Sequence, residues 1–424
     1  MIIAVIFALA GLATLNWFVR RSLLYPPTYF AFAWTGFLLL LASSGAMFYP
    51  VSAQTLMFYF GGAFFFSIGG LGSTLLTDVS MKAEPSPLES FESTRAIRRV
   101  MLDGLLLGVL IAIPLYYRWL KQLVGVADGS FLAAVRANLL FYSDTEAVRK
   151  FSVLDNFVAV SIPLTLLMFL ENDGTLSRKL RVWIAALAAL TINVLSGGRA
   201  GAITLLLSLV ALSWIVNRRL NWRLFVAAGV TFVLIFSFIA IALEKGTTRR
   251  DAPLTENLPT IVEGFQWYAV GGIVGFDQVY HNPTIIPATW DLRKPFAGIA
   301  NKLGQRVETK SLHASYLMVG PRKPDNVYTM YFAYVPLLGS AGTLFLMTCL
   351  GFVLTLIHRY AAARAPEALV LFAFCFSGLT LSGFNESILL AVNPLVKAFL
   401  LTAFLYRWDA LKRLIPRTQL AEAR

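Results

Sequence analysis

The residues of this chain with the clearest capacity for chemistry lie in one polar stretch, 244–336, between long apolar segments. Imidazole titrates near neutral pH and a carboxylate can accept a hydroxyl proton, so His281, His313 and Glu308 are candidate general bases. Four other carboxylates compete for this role: Glu244, Asp251, Glu256 and Asp277. A histidine in a long loop can equally be structural or simply exposed. The sequence therefore predicts proton-transfer chemistry here without selecting the base.

Arg199 is the clearest candidate for binding an anion, because it stands in the glycine-rich turn Ser196–Gly201 between two apolar segments. An arginine at the edge of the hydrocarbon is costly unless it is paired or faces water. Its planar guanidinium suits phosphate or carboxylate, and the helix predicted to begin at Ala202 adds its positive N-terminal end. The alternative is an arginine that snorkels to the membrane interface.

More positive charge is available near the same outer face of the membrane. Four arginines of the polar stretch could line a cavity there: Arg249, Arg250, Arg293 and Arg306. Each of them could instead be a solvated or headgroup-facing arginine. The sequence therefore predicts an anion site centred on Arg199, and it does not decide which other arginines belong to the site.

The composition identifies the class of protein that must hold these residues in place. With 57% hydrophobic and only 14% charged residues, the chain of 424 residues is not a soluble globular protein. The net charge of +13 is explained by basic loops between membrane spans, and no nucleic-acid-binding motif accompanies it. Three scattered histidines and two cysteines within apolar segments offer no ligand cluster, so neither a metal nor a cofactor is expected.

The apolar runs have a helical period and predict an all-α polytopic membrane protein with about eleven transmembrane helices. The expected spans are 1–18, 28–48, 53–76, 100–117, 151–170, 183–195, 202–216, 224–243, 337–357, 366–382 and 388–406. Glycines clustered in the third span indicate a close contact with another helix. Spans one to eight occupy 1–243, with an amphipathic segment at 118–150. Next comes the large loop 244–336, which we expect to contain short helices. Spans nine to eleven and the tail occupy 337–424.

The distribution of Lys and Arg predicts the orientation of these spans. The basic connections fall on one side of the membrane if the N-terminus is outside and the C-terminus is cytoplasmic. The segments 118–150 and 244–336 then lie on the outer face, together with Arg199 and the turn Asn385–Glu386. We therefore expect the functional site on that face.

Four short motifs stand in a definite order along the chain: Tyr25–Trp34 (YPPTYFAFAW), Leu195–Gly201 (LSGGRAG), Trp267–Asp277 (WYAVGGIVGFD) and Asp325–Thr329 (DNVYT). Gly339 and Gly342 follow the last motif, and Arg293 and Gly304 add a weaker spacing match. Together these stretches resemble the Wzy-type oligosaccharide repeat-unit polymerases of bacterial surface polysaccharide synthesis, which are related to O-antigen ligases and similar to GT-C membrane glycosyltransferases. The chain departs from the family pattern at Leu337-Leu338, where the family often has an acidic residue.

This resemblance implies a metal-independent glycosyltransferase that acts on polyprenyl-pyrophosphate-linked oligosaccharides. Arg199, helped by Arg136 and one of the loop arginines, would bind the donor pyrophosphate, and a His or carboxylate of the polar stretch would activate the acceptor hydroxyl. Four residues would contact the glycan: Trp267, Tyr268, Asn326 and Tyr328. Aromatic side chains are also expected at a membrane interface without any sugar.

The implied location is the bacterial inner membrane, with the active site facing the periplasm. A chain-length regulator in the same membrane is a candidate protein partner, in addition to the lipid-linked substrates and the bilayer; no nucleic acid is expected. An O-antigen ligase is the nearest alternative, although such ligases typically have a His-Asn pair where this chain has Asp325-Asn326, and His281-Asn282 lies far upstream. A flippase for lipid-linked oligosaccharides is the alternative from another class.

Overall fold

A computed structural model describes residues 1–78, 95–124, 131, 134–135, 152–196, 199–242, 253–282, 285, 303–304, 316–321, 323–325 and 327–407. These residues form twelve α-helices, two short 3-10 helices (Gly45–Met47 and Met330–Ala333) and one two-stranded antiparallel hairpin. The hairpin consists of β1 (Leu317–Gly320) and β2 (Lys323–Asp325). The helices are α1 (Ile2–Arg20), α2 (Pro26–Ser43), α3 (Ala53–Asp78), α4 (Arg95–Val124), α5 (Ser152–Leu170), α6 (Leu176–Leu195), α7 (Arg199–Asn217), α8 (Trp222–Ala242), α9 (Leu254–His281), α10 (Val335–Ala362), α11 (Pro366–Thr380) and α12 (Val392–Tyr406).

The structure confirms the prediction of an all-α protein with apolar helices that could span a membrane. Within the described residues, five helices are long and apolar enough to cross a membrane: Ile2–Arg20, Ala53–Leu76, Arg95–Val124, Ala200–Asn217 and Val335–Ala362. Four further apolar helices are shorter. Each of the eleven predicted spans overlaps one of the helices in the structure, while the number that cross the membrane remains a prediction.

The polar stretch differs from the expectation of short helices, because α9 alone is 28 residues long. Its apolar residues recur at helical spacing, and Ile261, Val270, Ile273 and Val274 are buried against the bundle. Polar residues on the remaining face lower the average hydropathy of the segment. A search for long, continuous apolar runs therefore does not detect α9, because only one face of this helix is apolar and buried.

Helices α3 and α10 pack with their backbones in direct contact, as the glycines of the third span predicted. A β-carbon added at Gly69 would overlap the carbonyl oxygen of Thr348, and one added at Gly351 would overlap the carbonyl oxygen of Phe66. Each helix thus presents a glycine to the backbone of the other. Small residues allow this close approach, and they are typical of helix contacts within membranes.

A backbone break lies near the start of α10. Gly339 has φ 63° and ψ 179°, which is outside the helical region, so the first turn of α10 is offset from the rest of the helix. Glycine adopts this positive φ without the steric cost that a side chain would impose. The break joins the long apolar part of α10 to the buried 3-10 helix Met330–Ala333.

One end of the bundle, which we call the basic end, is held together by arginine pairs around a buried carboxylate. Glu171, 4% exposed, follows α5 and accepts hydrogen bonds from Arg98 Nε (2.9 Å) and from the hydroxyl of Tyr406 (2.8 Å). Arg99 donates to the Glu171 carbonyl (3.1 Å) and pairs with Asp173 (2.8 Å). These contacts join the start of α4 to the ends of α5 and α12.

The other end, which we call the α9 end, holds α9, the hairpin and the loops beside them. The amide of Tyr49 donates to the Val319 carbonyl (2.9 Å), and the amide of Met330 donates to the Ser382 carbonyl (2.8 Å). The loop before α3 and the turn after α11 therefore meet the 316–334 region at this end. The basic end and the α9 end lie at opposite ends of α3 and α10.

Substituting Gly69 by Ala should destabilise the protein by about 1–3 kcal/mol, because the added methyl group meets backbone that cannot move independently. Gly72→Ala, on the same helix, is the matched control, since its β-carbon would lie 4.0 Å from Phe352 Cδ2. Thermal unfolding in detergent should give a clearly lower midpoint for Gly69→Ala than for Gly72→Ala. Equal midpoints would contradict the backbone contact.

Candidate functional site

The candidate site begins at Ser52, which caps the first turn of α3. The Ser52 hydroxyl accepts a hydrogen bond from the Thr55 amide (3.2 Å), and the Ser52 carbonyl accepts one from the Leu56 amide (3.1 Å). A serine at this position satisfies an amide that the helix itself leaves without an acceptor. The polar end of α3 is thereby fixed at the α9 end of the bundle.

Two residues of α9 complete the site, because Asp277 and His281 are four positions apart and share one helix face. Asp277 Oδ1 accepts from the Ser52 hydroxyl (2.6 Å) and from the Ser52 amide (3.1 Å). His281 Nε2 lies 2.8 Å from Ser52 Oγ and 3.6 Å from Asp277 Oδ1. The last turn of α9 is therefore tied to the first turn of α3 through three polar side chains.

The hydrogen-bonding capacity of Ser52 decides where the protons lie. A hydroxyl has one hydrogen to donate, and two acceptors lie near Ser52 Oγ: Asp277 Oδ1 at 2.6 Å and Thr55 Oγ1 at 3.1 Å. An ionised carboxylate can only accept and is the nearer of the two, so we assign the Ser52 proton to Asp277. The oxygen then accepts from the Thr55 amide and from His281 Nε2–H. With Nε2 acting as the donor, neutral His281 carries its free lone pair on Nδ1.

This arrangement suits His281 for proton transfer and makes Ser52 a poor nucleophile. The His281 side chain is 43% exposed, whereas that of Asp277 is 15% exposed, so a substrate has access to the imidazole. The Asp277 carboxylate lies beside the imidazole, with Oδ1 3.6 Å from His281 Nε2. Ser52 keeps no free lone pair and directs its proton away from the histidine, which is the reverse of an activated serine.

The middle of α9 packs directly on the segment that follows the hairpin. A β-carbon at Gly271 would overlap Asp325 Oδ2, and one at Gly272 would lie 3.2 Å from both the Thr329 nitrogen and the Val327 oxygen. Asp325 also accepts from the Val327 amide through Oδ1 (3.1 Å), which ties the end of β2 to Val327. Glycine at these two positions of α9 therefore allows the close contact.

The predicted aromatic residues occupy different environments. Tyr328 is buried and stacks on Phe332 with ring centroids 4.0 Å apart, and burial raises the pKa of its hydroxyl above the usual value. Tyr268 is half-buried and stacks on Phe384 at 5.5 Å. Trp267 is half-buried and packs against the core. Tyr268 and Trp267 thus keep partial access, while Tyr328 contributes to packing.

The Tyr268–Phe384 contact brings the turn after α11 to this side of α9. Glu386 is 3% exposed, and its carboxylate accepts from the amides of Ile388 (2.9 Å) and Leu389 (2.8 Å). A buried carboxylate with backbone donors of this kind fixes the shape of the turn. Its role is therefore to hold Phe384 against α9.

The structure places some of the predicted site residues and not others. Arg199 begins α7, as expected of a turn that leads into a helix, but its side chain lies outside the described residues. Eight other candidates also lie outside the described residues: Arg136, Arg249, Arg250, Arg293, Arg306, Glu308, His313 and Asn326. His281, Tyr268 and Trp267 all lie on α9, but His281 stands at its end, roughly 20 Å of helix beyond Tyr268, and Tyr328 lies in the neighbouring segment.

Sequence reasoning missed Ser52 and did not single out Asp277. A signal for each was present: Ser52 is a capping residue just before an apolar run, and Asp277 is four residues before His281. The contact between them spans 225 residues of sequence, and no local pattern reveals it. Within the described part of the chain, no group of three His, Cys, Asp or Glu residues could hold a metal ion.

Comparison with known proteins gave no match to any family model, curated protein or solved structure.

Replacing Ser52 by Ala should destabilise the protein by about 1 kcal/mol, because α3 loses its cap and Asp277 loses a hydroxyl donor. Ser43→Ala is the control, since among the described residues the Ser43 hydroxyl bonds only back to Leu40 of its own helix (2.8 Å). Thermal unfolding in detergent should separate the two variants. Equal midpoints would mean that Ser52 does not join α3 to α9.

Proposed function

We propose that this protein is a membrane glycosyltransferase that polymerises a bacterial surface polysaccharide. It transfers the growing glycan from its polyprenyl-pyrophosphate carrier to a lipid-linked repeat unit. One observation carries the proposal: two stretches that resemble the Wzy-type polymerases, Trp267–Asp277 and Asp325–Thr329, pack directly on each other through Gly271 and Gly272. Because these stretches are separated in sequence by about fifty residues, their contact supports a shared site.

The proposed topology has eleven spans, with the basic end in the cytoplasm and the α9 end in the periplasm. Buried and paired arginines at the basic end follow the preference of Lys and Arg for the cytoplasmic side. The N-terminus is then outside and the C-terminus inside the cell, in the bacterial inner membrane. α9 lies in the periplasmic stretch 244–336 and is not counted among the spans.

In the proposed reaction, His281 accepts the proton of the acceptor hydroxyl at Nδ1, and the oxygen forms a new bond to the anomeric carbon of the donor sugar. The bond from that carbon to the pyrophosphate breaks, and the lipid pyrophosphate leaves with the bonding electrons. Asp277 stabilises the imidazolium that forms. His313 and Glu308 are the competing bases.

Arg199 and the positive N-terminal end of α7 would stabilise the charge that develops on the leaving pyrophosphate. Arg136 and a loop arginine (Arg249, Arg250, Arg293 or Arg306) would add to this charge. Tyr268 and Trp267, which are only half-buried, are the better placed of the predicted sugar-stacking residues. No metal is needed for this scheme, because fixed guanidinium groups supply the positive charge.

Arg199→Ala should abolish the polymer while the protein still inserts, because the pyrophosphate loses its principal cation. The measurement is a gel of surface polysaccharide from a strain that lacks the protein, complemented with the wild type or the variant. Core capped with a single repeat unit indicates a polymerase, whereas polymer retained on the lipid carrier with bare core indicates a ligase. Repeat units that fail to reach the outer face indicate a flippase. Normal polymer length and amount would refute the role of Arg199.

His281→Gln should lower the rate of polymer formation by roughly 10²–10⁴-fold, because glutamine can donate to Ser52 but has no basic nitrogen. Ser52→Ala is the paired control, since it removes the same contact and keeps the imidazole. Incorporation of a labelled repeat unit into polymer, at matched amounts of folded protein, should be low only for His281→Gln. Equal losses in both variants would show that His281 acts only by holding α9 against α3.

A further inference from the structure

Three arginines at the basic end differ from their neighbours because they have no partner among the described residues. Arg218, Arg219 and Arg223 are all exposed and form no ion pair or side-chain hydrogen bond with the described part of the chain. Arg98 and Arg181, at the same end of the bundle, pair with Glu171 and Asp103. The three arginines therefore form a cluster of positive charge that no described residue of the protein neutralises.

The start of α8 adds to this charge. Asn221 caps the helix by accepting from the Leu224 amide (3.2 Å), and the first turn contains no acidic residue. Arg223 stands within that turn, where the positive end of the helix dipole disfavours a cation. An anion bound here would interact favourably with both the dipole and the guanidinium groups.

A shallow, open region of about 590 Å³, which we call the α8 groove, lies along one face of α8 from this cationic start. Its described lining residues are Trp222, Arg223, Val226, Ala227, Val230 and Thr231. They cover ten residues, or roughly 15 Å of helix, which is about half the thickness of the hydrocarbon core. The groove is thus about as long as one leaflet is deep and has a cationic mouth and an apolar body.

In the proposed topology, on which this inference rests, α8 spans the membrane and Trp222 lies at the interface beside this mouth. Its side chain is 64% exposed and stacks on Phe225 with ring centroids 5.2 Å apart. Tryptophan is enriched where headgroups meet hydrocarbon. The charged part of the groove then lies at headgroup depth, and Val226 to Thr231 lie at the depth of the acyl chains.

We propose that the α8 groove binds one phospholipid with an anionic headgroup. The headgroup phosphate contacts Arg223 and Arg219 at the start of α8, and an acyl chain lies along Val226, Ala227 and Val230. A free phosphate would not contact the apolar body, and a symmetric second copy would bring the same arginines together. An anionic lipid matches the charge, the apolar surface and the length at once.

The test is native mass spectrometry of the full chain in detergent, titrated with phosphatidylglycerol or phosphatidylcholine. The first bound phosphatidylglycerol should bind more tightly than phosphatidylcholine. Arg223→Gln should weaken the affinity for phosphatidylglycerol about fivefold and that for phosphatidylcholine by less, because the choline cation offsets the charge of the phosphate. Ala227→Trp, which fills the groove, should weaken binding of both lipids.

The control is Lys179→Gln, which removes an exposed charge from the first turn of α6 at the same end. An equal loss with Lys179→Gln would overturn the proposal, because it would indicate attraction to the whole basic face. Equal affinity of the wild type for both lipids would also overturn it. Displacement by glycerol phosphate would indicate a site for a soluble anion, and a dimer mass lost in Ala227→Trp would assign the groove to a second copy.

Discussion

The close contact between α3 and α10 determines where the polar parts of this protein can lie. Because Gly69 and Gly351 let the two backbones touch, the helices form a fixed pair that reaches both ends of the bundle. At one end of this pair, Ser52 precedes α3 and the buried 3-10 helix precedes α10. α9 packs across both of these segments. The position of α9 therefore depends on the contact between α3 and α10, which is made deep among apolar residues.

The two ends of the bundle use charge in different ways. At the basic end, Glu171 is buried, and arginine pairs join helices that apolar packing alone would leave free to slide. A buried ion pair of this kind contributes specificity more readily than net stability. At the α9 end, the carboxylates of Asp277 and Glu386 accept from backbone amides and therefore fix a helix start and a turn. The charged residues of the basic end thus align helices, whereas those of the α9 end fix the shape of the surface around α9.

Sequence reasoning located the helices because long apolar runs leave the chain few alternatives in a membrane. It also anticipated close packing in α3, since glycines within a span have no other evident reason. It missed the length of α9, because an amphipathic helix that is buried on one face has no continuous apolar run. The separation of the segment 244–336 from the spans stays a prediction, and its described part, α9 above all, is held by contacts with α2, with the start of α3 and with the turn after α11.

The candidate site shows the same limit at the level of single residues. His281 was among the candidate bases because its type suits proton transfer, and nothing nearby in sequence ranked it above His313. Its neighbours Ser52 and Asp277 become meaningful only when the chain folds back over more than two hundred residues. The contacts of the Ser52 hydroxyl, which has a single proton to donate, then assign a donor or acceptor role to each of the three side chains. The residue types alone leave these roles open.

The saturated hydroxyl of Ser52 has a pharmacological consequence. Inhibitors that acylate or phosphonylate serine require a hydroxyl whose proton is being withdrawn by a base and whose lone pair is free. The Ser52 hydroxyl directs its proton to Asp277 instead of the imidazole, and its lone pairs already accept hydrogen bonds, although an aspartate and a histidine both lie within hydrogen-bonding range of it. A fluorophosphonate probe would leave this serine unmodified, and reagents directed at imidazole are the suitable chemistry for blocking the site.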